Sequence, residues 1–174
     1  EDARLIGNDG DGGSATASGA RVDSWSALGS VPIQACIRIL AEDCAKLPIK
    51  IYKHRGDGGR DELRAHPLWR LLANKPNRWM TPFDFKAAMV SQYALNGNAV
   101  ALVNRDEGGR PVELVPIEAP RVALWLNEGE IWYYVSFAND LYRDRYGTSG
   151  ELFPATDVVH VKWPISWNGL WGYS

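Results

Sequence analysis

A chain of 174 residues, 45% of them hydrophobic, is long enough to bury one sizeable core. Its formal net charge of −2 provides no global basic field to hold nucleic acid by counterion release, which argues against sequence-specific DNA binding. No apolar run approaches the ~20 residues that would cross a bilayer, and the opening residues lack the basic and apolar regions of a signal peptide.

Residues 7–20, GNDGDGGSATASGA, are small and polar with almost nothing to bury. Residues 1–29 are therefore expected to form a flexible arm ahead of one domain over 30–174. The Asp9-Gly-Asp11-Gly pattern hints at a calcium loop, but its fifth position would be Gly13 and the closing glutamate is missing.

From Ser30 a helix is predicted, capped by the serine with Pro32 in its first turn. Ile33, Cys36, Ile37, Leu40, Ala41 and Cys44 recur at helical spacing, and Arg38 with Glu42 forms an i, i+4 pair on the wet face. Cys36 and Cys44 stand eight residues apart on this helix, roughly 12 Å at 1.5 Å per residue, too far for a disulfide. They read as buried thiols of a reducing compartment. Pro48 stops the helix, and Ile49, Ile51 and Tyr52 start a strand that enters a glycine-rich turn over 55–60, with no evident partner strand before His66.

Pro67 suits the first turn of a short helix carrying Leu68, Leu71 and Leu72, which ends at Lys75-Pro76. Thr81 sits as an N-cap ahead of Pro82, with Asp84 three residues on, and Phe85, Ala88, Met89 and Tyr93 share one face of the third helix. Gly97 is placed to take a left-handed C-cap, after which Ala99, Ala101 and Val103 alternate like a strand. From there the texture is β. Hairpins are predicted for 99–106 with 111–117 and for 121–126 with 130–137, and a further strand for 158–163. About three helices in the first half packed on antiparallel strands and hairpins of the second give an α+β fold.

Reactive groups are not gathered anywhere along this order. His54, His66 and His160 have no second His or Cys at a ligand spacing, so no metal site is predicted, and His160, among Val158, Val159 and Val161, reads as a hydrogen-bonded structural histidine. G-x-S-x-G is absent, the glycine clusters lack the Walker lysine-serine pair, and Glu42-Asp43 and Asp61-Glu62 read as solvated charge. No catalytic residue and no cofactor site is assigned, and an enzyme is not expected. The compositional oddity is eight tryptophans. Trp125, Trp132, Trp163, Trp167 and Trp171 all fall in the β half and are the candidate subunit interface, because tryptophan supplies large contact area. Exposed rings stacking on sugars, as in a carbohydrate-binding module, are the alternative reading.

Taken in order, these blocks resemble the portal (connector) protein family of long-tailed double-stranded DNA bacteriophages, prophages and gene transfer agents. Val31 to Leu47 leading into Pro48-Ile49 is similar to the family's opening helix and strand. His66-Pro67-Leu68 with Leu71-Leu72, Lys75-Pro76-Asn77, and Met80-Thr81 with Phe83 and Phe85 resemble its next block. Gly97-Asn98-Ala99, Val115-Pro116, Pro120-Arg121-Val122, Asp157 to Lys162 and Asn168 to Ser174 resemble later ones. The resemblance implies much of the portal wing, stopping before the stem and clip. It also implies a structural subunit of a ring, usually of twelve copies, at one capsid vertex of the virion, built in the host cytoplasm. The implied partners are further copies of itself, the major capsid protein, the terminase packaging motor, the head-tail adaptor, and double-stranded DNA passing without sequence specificity during packaging and ejection; no membrane is implied.

Overall fold

The computed structural model describes residues 4–6, 24–137, 150–164 and 169–172. In chain order these form β1 (Arg4–Ile6), α1 (Ser24–Leu28), α2 (Val31–Lys46), β2 (Tyr52–His54), β3 (Arg60–Glu62), α3 (Pro67–Ala73) and α4 (Pro82–Asn96), followed by β4 (Asn98–Arg105), β5 (Pro111–Ile117), β6 (Val122–Asn127), β7 (Glu130–Val135), β8 (Glu151–Pro154) and β9 (Val158–Lys162). The fold is α+β, with helices in the first half and antiparallel sheets in the second.

Local chemistry sets the helix ends. Thr81 Oγ1 accepts the Asp84 N–H at 3.2 Å while the Asp84 carboxylate accepts the Thr81 N–H at 3.1 Å, a reciprocal capping box at the start of α4. Gly97 ends α4 at φ 63°, a left-handed conformation that costs glycine nothing. Ser30 occupies the N-cap position of α2 in extended conformation without a side-chain cap hydrogen bond. For α3 the cap is His66, whose Nδ1 accepts the Leu68 N–H at 3.2 Å.

Three layers result. The sheet β5-β4-β9 lies in the middle. One of its faces presents Val100, Leu102, Val115 and Ile117 to Val122, Leu124, Tyr133, Val135 and Phe137 from the β1-β6-β7-β8 side. Its other face presents Ala99, Ala101 and Leu114 to Leu71 of α3 and to Phe85 and Met89 of α4. Covered on both sides, β4 reads as a continuous small-and-apolar run, AVALV, and its alternation sorts side chains between two cores. Pro76 and Asn77 tie the helix layer to the sheet: the Pro76 carbonyl accepts the Leu114 N–H at 2.7 Å, and Asn77 Nδ2 donates to the Leu114 carbonyl at 2.9 Å. At the far end of β4, Arg105 donates to Asp157 at 2.7 Å and to the Thr156 carbonyl at 2.9 Å, fixing the turn into β9.

Both predicted hairpins of the β half form, β4-β5 and β6-β7, the latter turning through Glu128 and Gly129 at positive φ. In the second half β8 is a strand the sequence reading lacks, and three features of the first half differ from that reading. The strand after Pro48 does find a partner, β3, whose Arg60-Asp-Glu carries no apolar residue to signal it. Two elements lie within the range expected as an arm: Arg4–Ile6 pairs with the edge of β6, and Ser24–Leu28 is a helical turn. Residues 7–23, where the small polar run falls, lie outside the described residues.

The third difference is the face of α2. The helix and its Arg38–Glu42 pair are present, the pair at 3.8 Å, but α2 packs against α4 through Ala41 and Ala45. Small side chains let the helix axes approach, so the contact is set by alanines and the larger apolar residues are turned out. Cys36 and Cys44, expected to be buried, are therefore exposed thiols.

Candidate assembly surfaces and the clamp behind them

A buried polar cluster joins α4, β4, β7 and β9. Asn98, fully buried at the first position of β4, accepts the Gly172 N–H at 2.8 Å on Oδ1 and donates from Nδ2 to the Gly172 and Asn96 carbonyls, both at 2.8 Å. His160 on β9 reaches the same Oδ1 through Nε2 at 3.1 Å. An amide oxygen only accepts, so Nε2 carries the proton and Nδ1 is left to accept from the Tyr133 hydroxyl at 3.2 Å. Burial first, and the positive charge of Lys162 second, push the His160 pKa down to about 4. Burial raises the Tyr133 hydroxyl. The ring of Trp171 lies 5.0 Å from His160 and Tyr133 meets it edge-on at 5.7 Å. The cluster holds a neutral imidazole inside a satisfied network, which is the structural role expected of His160. Sequence reasoning missed Asn98 as its hub, since a lone asparagine after a glycine reads as turn chemistry.

The five candidate tryptophans are dispersed. Trp125 and Trp132 stand directly opposite each other on β6 and β7, half-buried, on the face of that sheet turned away from the core. By the same alternation Tyr134 and Leu152, neighbours across β7 and β8, share that face and are 38% and 46% exposed. Trp163 is 39% exposed, its ring 5.2 Å from Tyr93 and its N–H held by the Gly97 carbonyl at 2.7 Å. Trp171 packs against the core between the two sheets. Trp167 lies outside the described residues.

A second apolar surface lies on α2. At about 100° per residue, Ile33, Cys36, Leu40, Cys44 and Leu47 fall within a sector of roughly 90°. All are exposed, Leu40 at 54% and Leu47 at 64%. On the opposite flank of α2 runs an open groove of about 660 Å³, walled by Val31, Ile37 and Ala41 on one side and by Phe83, Ala87 and Leu95 of α4 on the other. The angular period that predicts α2 contains this stripe already; only the assumption that it faces inward fails.

Among the described residues no group of three or more His, Cys, Asp or Glu could hold a metal ion. What the geometry presents is a layered scaffold with bare apolar faces and a rigid internal clamp, the makings of a protein whose business is assembly. The chain belongs to the phage portal protein family, whose model matches residues 32–174. It is 28% identical to the portal protein of Enterobacteria phage HK97 over 142 residues, 80% of this chain and 31% of that protein. Its fold is similar to a chain in the neck of an empty gene transfer agent particle computed with C6 symmetry, at a TM-score of 0.67 and 22% identity, covering 91% of this chain and 43% of the other. A chain in the neck of the native particle, computed with C12 symmetry, aligns at a TM-score of 0.61 and 19% identity, covering 87% and 38%. The chain thus spans about a third of the length of the HK97 relative and about two fifths of the neck chains.

Proposed function

We propose that this polypeptide is the wing-like part, residues 30–174, of a structural subunit that forms a closed portal ring at a capsid vertex, with residues 1–29 as an arm reaching the edge of the β6 sheet. The ring is the channel through which DNA is packaged and ejected and the joint between head and tail. Membership of the portal family carries this reading, and the solved necks, computed with sixfold and twelvefold symmetry, agree with it. It works by shape and apolar contact and performs no catalysis. Its partners are further copies of the same subunit, twelve in the ring, together with the major capsid protein, the terminase motor and the head-tail adaptor. Double-stranded DNA passes without being gripped, in keeping with the mildly acidic charge balance. Its place is the virion's portal vertex, reached by assembly in the host cytoplasm. Of the five candidate tryptophans, Trp125, Trp132, Trp163 and Trp167 remain the aromatic share of the subunit contacts in this reading, whereas Trp171 packs inward against the core.

Family membership displaces the carbohydrate-binding alternative. The test is native mass spectrometry of the full-length protein carrying this sequence. Closed multimers of about a dozen copies are expected, and a protein that stays monomeric under capsid-building conditions overturns the reading.

A further inference from the structure

Resting on the ring reading above, we infer that the exposed apolar stripe of α2 is one half of the subunit contact, and that it seats on the outer face of the β6-β7-β8 sheet of the next copy. A ring closes through a heterologous interface, which requires two different patches on each subunit. The described residues carry such a pair in the two outer layers of the fold. One is Ile33, Leu40 and Leu47 with the two thiols on α2; the other is Trp125, Trp132, Tyr134 and Leu152 on the sheet. The three-stranded middle sheet separates the two layers, so one patch stays free while the other is engaged.

The area is of the right order. The stripe leaves on the order of 400 Å² of apolar surface bare, and the sheet face adds Tyr134 and Leu152 at 38% and 46% exposed beside the two half-buried tryptophans, against the ~900 Å² of non-polar surface that a standard-size interface buries. A patch of the first size falls within the roughly 300–600 Å² of the largest apolar patch on a typical monomer, which is often a functional one. The charge bordering the stripe is internally neutralised, Asp43 pairing with Lys46 at 2.9 Å, while Arg38 and Glu42 pair across the helix beside the groove. That balance suits a protein face of mixed aromatic and aliphatic character and gives no purchase to phosphate. The chemistry also fits in kind: a convex row of aliphatic side chains meets a sheet face whose aromatic rings offer broad, rigid area at low entropic cost.

The native thiols make the contact testable, because Cys36 and Cys44 lie on the stripe itself. Leu152→Cys in the full-length protein places a third thiol on the opposing face. After native mass spectrometry has established that the variant still forms rings, a short bismaleimide is added and the chains are separated under denaturing conditions. A ladder running past dimer and trimer towards the full ring is expected, and it disappears in Leu152→Cys carrying Cys36→Ser and Cys44→Ser. Cross-linking that stops at dimers, or none in intact rings, overturns the inference and leaves the portal reading standing; failure of the unmodified protein to form rings overturns the reading itself. A second pair guards against a local disturbance. Leu40→Glu and Leu152→Glu should each reduce the ring fraction at least tenfold with unchanged helical circular dichroism, and in a mixture the two altered faces repel each other. When mixed, they should stop at a one-to-one dimer, because each retains one good face; rings from either variant alone, or no dimer from the mixture, overturn the inference.

Discussion

The amide side chain of Asn98 brackets the backbone of Gly172, accepting its N–H and donating to its carbonyl, each at 2.8 Å, across 74 residues of sequence. One side chain thus replaces a strand partner and fixes the chain near residue 172 against the α4–β4 junction. A Cβ on Gly172 would run into the Gly97 carbonyl and the Trp163 backbone nitrogen, atoms that cannot step aside. Asn98→Ala removes these bonds from a fully buried site and leaves the Gly172 N–H unpaired, so a loss of about 2–4 kcal/mol is expected. Gly172→Ala should cost at least as much. Urea denaturation of the two variants checks both values, and loss of hydrogen-exchange protection at the Gly172 amide identifies the clamp as the part released.

His160 gives the clamp a pH dependence. In the fold its pKa lies at about 4, below the ordinary 6.5, because burial and Lys162 disfavour the charged ring. The unfolded chain therefore takes up the proton first. Stability is full above about pH 6.5, falls as the pH drops towards 4, and settles at its reduced value below that, a loss of about 2 kcal/mol once the ring's partial exposure is allowed for. His160→Gln keeps a donor and has no proton to gain. Denaturant midpoints followed between pH 7 and 4 should converge for the two proteins, and parallel curves would dismiss His160 as the source.

The Thr81–Asp84 box makes a separate claim at the start of α4. Its hydrogen bonds from Thr81 hold the Asp84 carboxyl below its ordinary range, so the stabilisation is present above pH 3.8 and is lost as the pH falls through the lowered value. Thr81→Ala should cost about 1 kcal/mol at neutral pH. It should also abolish the shift in the Asp84 carboxyl titration measured by carbon NMR.

Devices of this kind were legible in advance because they are local. Thr81-Pro82 with Asp84, Gly97 after Asn96, and the Gly108-Gly109 and Glu128-Gly129 turns each declare their conformation within a few residues, and the α+β order followed from them. What stayed hidden depends on partners distant in sequence. β3 has no apolar residue and exists because β2 lies opposite it. β8 supplies Leu152 to the outer sheet face only because β7 offers an edge. The outward face of α2 is the sharpest case: its 3.6-residue period was plain, yet which sector packs inward was decided by two alanines that let α4 come close. Of the tryptophans, Trp125 and Trp132 could have been placed on the outer sheet face by alternation with Leu124 and Tyr133, whereas the inward packing of Trp171 depends on the Asn98 clamp.

That outward rotation of α2 has a direct chemical signature. The sequence pattern alone puts Cys36 and Cys44 inside, where thiols react only on unfolding; the structure exposes both on the stripe. In the dissociated subunit both should react with Ellman's reagent in the absence of denaturant, since reactivity needs an accessible thiol. If the stripe is covered on ring closure, the same two thiols should slow at least tenfold in assembled rings and recover on dissociation. Thiols that titrate only in guanidinium would return α2 to the inward-facing rotation and take away the apolar surface it lends to assembly. Thiols equally fast in subunit and ring would keep α2 as described and place the subunit contact on other elements, the tryptophan-bearing face of β6 and β7 first among them.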